Sequence, residues 1–184
     1  MKNKTFFYTT LITIAVFLPA CSGTTASPTQ SPQAAAPSLA GVLANTEYLL
    51  ETTGTGKAPL QDGYYEEPSA PDSAAMIQVR LDQEIFGDIN TDGMEDAVVT
   101  LIVESGGSGT FTYLAPVLNE NGTPKPLPSV FLGDRIVVNT ITIQPNTVTV
   151  DLLTHDSGES MGTEPTIEKT LTFTLQDDQL IPMD

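Results

Sequence analysis

The chain is poor in several residues on which much protein chemistry depends. It has one cysteine, one histidine and no tryptophan in 184 residues. A single thiol excludes an internal disulfide and a cysteine-based metal cluster. A single imidazole, His155, excludes a zinc centre of the usual kind, which draws several His or Cys ligands. The lack of tryptophan weighs against a sugar cleft, where an aromatic stacking platform is a common device. Positive charge is scarce too: 7 Lys and Arg stand against 23 Asp and Glu, a net of −16. Such a surface repels nucleic acid and anionic lipid, keeps a protein soluble outside the cell and favours divalent cations. No segment sustains a long helical period, and no apolar run reaches the roughly 20 residues of a membrane-spanning helix.

What is present begins at the N-terminus. Lys2 and Lys4 precede an apolar stretch at 6–18, broken only by Thr and Tyr, and Leu18-Pro19-Ala20 leads into Cys21. A charged start, a short apolar run and a small residue at the cut are the marks of a secretory signal. Leu-x-Ala-Cys resembles the bacterial lipobox, in which the cysteine thiol is diacylated before cleavage. Ala20 is the small residue at the cut and Leu18 fits the apolar position, while Pro19 departs from the usual small or β-branched residue. The resemblance implies a lipoprotein with palmitate-type chains on Cys21, anchored to a membrane and facing away from the cytoplasm. One acyl chain binds only marginally, at about 0.8 kcal/mol per buried CH₂, so two or three make the anchor stable. Ser22 after the cysteine, where an Asp would signal otherwise, points to the outer membrane if the host has one. Losing Lys2 and Lys4 with the signal leaves 5 bases against 23 acids, a net of −18. The plainer alternatives are an ordinary secretory peptide with an incidental cysteine, or an uncleaved anchor.

Residues 22–38 read SGTTASPTQSPQAAAPS, without a charge or a bulky apolar side chain. Such a composition cannot bury a core and serves as a tether. A short helical turn is expected over 39–45, and from Glu47 onward the pattern is that of strands. Asp62-Gly63 is a hairpin signal between 58–61 and 64–67. Ile77, Val79 and Leu81 alternate with polar residues, as do Val148, Val150 and Leu152, and Leu171, Phe173 and Leu175, while Phe111, Tyr113, Ala115 and Val117 alternate with Thr110, Thr112 and Leu114. The run AVVTLIV at 97–103 predicts a central strand buried on both faces. The chain thus divides into a signal peptide at 1–20, a lipidated cysteine and disordered linker at 21–39, and one antiparallel β domain at 40–184. Its class is mainly β, or α+β if the short N-terminal turn is a helix.

The one legible site lies in FGDINTDGMEDAVV at 86–99. Asp88, Asn90, Asp92 and Asp96 stand at positions one, three, five and nine of a loop, with Gly93 at six. Calcium takes six to eight oxygens, and a tight loop can aim alternate side chains at one centre. Gly93 permits the sharp turn, Met94 offers its backbone carbonyl and Asp96 closes the shell. An EF-hand would need a bidentate Glu at position twelve, but Val99 stands there, and a strand follows where a helix belongs. The alternative is a dry turn, since Asp, Asn and Gly suit turns for their own reasons.

The pattern D-x-N-x-D-G-x-x-D between β segments resembles the calcium loops of integrin-type FG-GAP repeats. Those repeats build propellers, and one copy in so short a chain carries over the loop alone. More broadly, FGDINTDGMEDAVVTL, GGSGTFTYLAPVLNENG, FLGDRI and VTVDLLT, in that order, are similar to a domain of secreted bacterial proteins. That family carries no assigned activity, so the resemblance implies a class and no chemistry. Its members often carry Cys-Cys-Pro-Thr near the C-terminal strand, where this chain has Met161-Gly162-Thr163-Glu164-Pro165-Thr166.

Other motifs fail on inspection. Gly56-Lys57 would end a phosphate loop only with Gly at 51 and Ser or Thr at 58, where Glu51 and Ala58 stand. The glycines of 105–109 suit a hairpin loop. His155, Asp156 and Ser157 are sequence neighbours, which rarely form a triad, and His155 is expected as an exposed loop residue. The expected function is therefore a membrane-anchored, calcium-binding structural or binding module of the cell envelope, with a protein or envelope partner and no nucleic acid. Two other classes stay open: an extracytoplasmic hydrolase using surface carboxylates, and an inhibitor or partner subunit.

Overall fold

A computed structural model describes residues 38–183. The signal peptide at 1–20, with Ala20, the lipidation site Cys21 and the linker lie outside the described residues, apart from Ser38 and Leu39 at the linker's end. Strands and turns make up the rest, with no α-helix and one 3₁₀ turn, Leu43–Asn45, inside the segment expected to be helical. Among the described residues no helix is long and apolar enough to cross a membrane.

The strands form three sheets instead of one, every strand pair antiparallel. The small one pairs β1 (Glu47–Leu49) with β2 (Lys57–Pro59). The central sheet runs β3 (Tyr64–Pro68), β4 (Met76–Gly87), β5 (Asp96–Glu104) and β6 (Phe111–Glu120). Beyond β6, its end pairs with β7 (Thr123–Pro126) and its beginning with β8 (Val130–Asp134). The third sheet comprises β9 (Val137–Gln144), β10 (Thr147–Thr154), β11 (Ile167–Gln176) and β12 (Gln179–Pro182), in the order β12-β11-β10-β9.

β5 sits between β4 and β6, and AVVTLIV explains why. Successive side chains of a strand point to opposite faces, so a run interrupted only by Thr100 must be covered on both. Ala97, Val99, Leu101 and Val103 join a core with Leu39, Leu43, Tyr48, Leu50, Ala58 and Leu60 from the N-terminal segment. Val98 joins a second core with Ile89, Leu114, Ile141, Val148, Val150, Leu152, Phe173 and Leu180. Each Val or Leu so covered contributes about 1.5–3 kcal/mol relative to exposure. Leu39, at the end of the expected linker, is fully buried in the first core.

Two irregularities were written in the hydrophobic phase. From Ile136, just before β9, and Val138 the apolar residues stand at even positions, then switch to odd ones, Ile141 and Ile143, and the β9–β10 register slips there. An extra residue between paired strands reverses which face the next side chain meets. In β4 the same happens between Leu81 and Gln83, so that Phe86 returns to the face of Ile77 and Val79. Asp62 and Gly63 do make a tight turn, with φ of 50° and 80° and a bridge between Gln61 and Tyr64. The expected hairpin ends at that bridge, because β2 pairs with β1 while β3 pairs with β4.

Candidate calcium loop

The loop at 88–95 connects β4 to β5 and folds around its own polar side chains. Asp88 Oδ2 accepts the Gly93 amide at 3.0 Å, which closes the loop across five residues. Asn90 Oδ1 accepts the Asp92 amide at 3.0 Å, and Asp92 Oδ1 accepts the Met94 amide at 2.8 Å. Asn90 Nδ2 donates to Asp92 Oδ2 at 2.9 Å. These short-range bonds are what Asp and Asn offer a turning backbone. Gly93 has φ of 85°, a conformation that other residues adopt at a cost, although open space lies where a side chain would go. Thr91 has φ of 63°, unusual for a β-branched residue.

Asp88 Oδ1 is buried without a hydrogen-bond partner. A carboxylate oxygen removed from water and given no donor is costly, and a cation is one of the few groups that would offset it. Asn90 and Asp92 meet through their side chains, and Asp88 closes the loop on Gly93.

Asp96 has a different setting. It is fully buried at the start of β5, and its carboxylate takes three backbone amides. Oδ2 accepts Ile89 at 2.9 Å and Asn90 at 3.3 Å, and Oδ1 accepts Asn119 at 2.8 Å. Burial pushes the Asp96 carboxyl up from its ordinary range, against those three bonds and with the Asp92 charge adding to the rise. With two amides on one oxygen and one on the other, a single lone-pair direction is left for any further partner. Among the described residues no three carboxylate, imidazole or thiol side chains gather to hold a metal, so the acids alone do not complete a cage.

Asn119 is a neighbour of the loop. Its side chain donates to the Glu95 carbonyl at 2.9 Å and accepts the Gly122 amide at 2.6 Å, so the β6–β7 turn is tied to the loop. The Ile89 carbonyl accepts the Asn146 amide at 2.7 Å from the β9–β10 turn. One loop therefore meets two turns belonging to two sheets.

His155 is not the exposed residue expected. Its side chain is only 3% exposed, both ring nitrogens lack hydrogen-bond partners, and Glu159 Oε2 lies 3.8 Å from Nδ1. The Asp156 amide and then the Thr163 hydroxyl hold the Glu159 carboxyl below its usual range, with His155 adding a smaller effect. Lys57, rejected as a phosphate-loop lysine, pairs with Glu47 at 2.6 Å on the surface. Asp62 with Glu66, and Asp151 with Glu168, line two surface cavities, and no histidine lines either. Comparison of the chain with protein-family models, with curated proteins and with solved structures gives no match in any of the three.

Proposed function

We propose that the chain is a lipid-anchored protein of the bacterial cell envelope whose β domain is stapled by one calcium ion. The anchor reading rests on Lys2, Lys4, the apolar stretch at 6–18 and the Leu18-Pro19-Ala20-Cys21 junction. The observation that carries the calcium reading is Asp88 Oδ1, a buried carboxylate oxygen without a donor, in the loop where Asn90 and Asp92 meet. The ion would take Asp88, Asn90, Asp92 and the Met94 carbonyl, with Asp96 giving its remaining lone pair or holding a water, and other waters filling the shell. Its role is structural, since the ion would draw together a loop that already meets two turns.

Unfolding separates these ligands, so calcium would stabilise the native state by about 2.7 kcal/mol at a hundred times its dissociation constant. An extracellular site of about 10⁻⁴ to 10⁻³ M suffices. The test is thermal melting in excess calcium and in chelator. A higher midpoint in calcium, absent in Asp92→Ala and poorly reproduced by magnesium, is expected. Equal midpoints in calcium and chelator would leave residues 88–96 as an ordinary acidic turn.

A further inference from the structure

A second site lies at the other end of β5 and β6. Phe111 and Tyr113 are two residues apart on β6 and so share a face. Phe131 on β8 packs against both, with ring centroids 6.2 Å from Phe111 and 5.4 Å from Tyr113, tilted by 59° and 52°. The rings are thus inclined walls and not a flat stack. Gly109 lets the Phe111 ring lie close, because a Cβ there would collide with it. Together with Val103, Ser105, Glu51 and Thr52 the rings line a cavity of about 270 Å³. Phe131 is half exposed while Tyr113 is almost covered.

Among the described residues Glu51 is the only carboxylate on the lining, and no Lys or Arg joins it. Thr52 hydrogen-bonds Tyr113, whose hydroxyl is pushed up from its ordinary range by burial, with the Glu51 charge adding to the rise. Tyr113 therefore stays a neutral ring. Aromatic faces carry negative potential, and desolvated rings attract cations most strongly. Three rings and one carboxylate, on a chain of net charge −16, select a cation.

The lining also selects which cation. A metal ion wants many oxygens, and ammonium or guanidinium groups need acceptors for their N–H groups. The lining offers few of them, the Glu51 carboxylate and the Thr52 and Ser105 hydroxyls, and is otherwise carbon. A quaternary ammonium has no N–H, and its methyl groups rest well on carbon. The cavity is just under the roughly 300–1,000 Å³ of sites for drug-sized ligands, enough for a small headgroup. A choline phospholipid would bring its phosphate toward the Glu51 carboxylate and an acidic chain, so a free solute fits better. We propose that Phe111, Tyr113 and Phe131, with Glu51, form a binding site for a small free quaternary-ammonium solute. The site is independent of the calcium loop and of the anchor.

The test is calorimetric titration of the full chain with choline and with its uncharged isostere, in which carbon replaces the ammonium nitrogen. Saturable choline binding is expected, with the isostere about tenfold weaker. Phe131→Ala should weaken choline binding about tenfold, and Glu51→Gln severalfold, with the melting midpoint of each variant near that of the parent. Both side chains are on the surface, so neither variant threatens folding. Equal binding of choline and isostere, choline affinity untouched by both variants, or no choline binding at all would overturn the proposal. Capture on phosphatidylcholine vesicles without binding of free choline would overturn the choice of a free solute.

Discussion

Replacing Asp96 by alanine would leave three backbone amides, those of Ile89, Asn90 and Asn119, without their acceptor. A buried donor left unsatisfied costs about 1–3 kcal/mol. The Ile89 and Asn119 bonds, at 2.9 and 2.8 Å, are buried and count fully. The Asn90 bond is longer, at 3.3 Å, and only part-buried, so water can replace much of it. Against this stands the cost of burying the carboxylate itself. Burial raises the Asp96 carboxyl despite the three amides, so removing the charge returns part of the loss. The net expected is about 2–4 kcal/mol, a large share of the 5–15 kcal/mol typical of a domain. At about 2–4 °C per kcal/mol for a domain near this size, the midpoint should fall by roughly 5–15 °C.

The assay is thermal or urea unfolding in chelator, where no ion contributes, followed by the same measurement in calcium. Asp92 is exposed and its two acceptor bonds are local, so Asp92→Ala in chelator should cost less than about 1 kcal/mol. The two variants should thus separate: Asp96→Ala is damaging with or without calcium, and Asp92→Ala chiefly removes the gain from calcium. A loss within about 0.5 kcal/mol for Asp96→Ala in chelator would refute the reasoning, because three amides cannot lose a buried acceptor so cheaply. Equal losses for both variants would place the loop's restraint in its local turn and not in Asp96.

Three other outcomes follow from packing, backbone and sequence. Gly87→Ala would put a Cβ 2.9 Å from Ile143 Cγ2 and 3.0 Å from Ile143 Cβ, so β4 and β9 must move apart, and a loss of about 1–3 kcal/mol should appear in urea melts. Thr91→Asn should raise stability by about 0.5–1 kcal/mol, since Asn tolerates φ of 63° better than a β-branched residue; no change in the midpoint would count against strain there. Cys21→Ser should block acylation and lipoprotein-type cleavage, and a variant that still fractionates with membranes at the normal mature size would rule out the lipid anchor.

Strand identity and the turns were legible where local chemistry decides them. AVVTLIV announced a doubly covered strand, and Asn121-Gly122, with φ of 56° and 87°, made the tight turn its residues favour. The phase switches in β4 and β9 carried the bulges, though a phase switch alone cannot say which strand holds the extra residue. Other features depend on partners distant in sequence. Asp96 reads as a ligand because it stands at position nine, but its amide from Asn119 comes from 23 residues away. Nothing local distinguishes a carboxylate that clasps backbone from one that waits for an ion. His155 sits among polar neighbours and was expected in solvent, yet tertiary packing covers it. The Asp177-Asp178 turn, with φ of 49° and 58°, lacks the glycine that marks such turns, so β12 escaped notice. The aromatic cavity was hidden by the same limit: Phe111 and Tyr113 read as core alternation, and only the pairing of β8 brings Phe131 against them.

The position of the loop in the topology decides what an ion there would do. Ile89 places its side chain in the core shared with the four-stranded sheet, while its carbonyl holds the β9–β10 turn through Asn146. Asp96 and Asn119 hold the β6–β7 turn. Three connections that are remote in sequence, β4–β5, β6–β7 and β9–β10, thus meet at one place. A cation bound to Asp88, Asn90 and Asp92 would stiffen the first of these, and the restraint would pass to the other two through backbone bonds. Its effect should therefore be seen in the unfolding of the whole β domain. Protection of the Asn146 and Asn119 amides against hydrogen exchange should rise with calcium, although neither residue belongs to the ion's shell. If calcium protected the amides of 88–95 alone, the loop would be a local ornament and the coupling between sheets would rest on the apolar core alone.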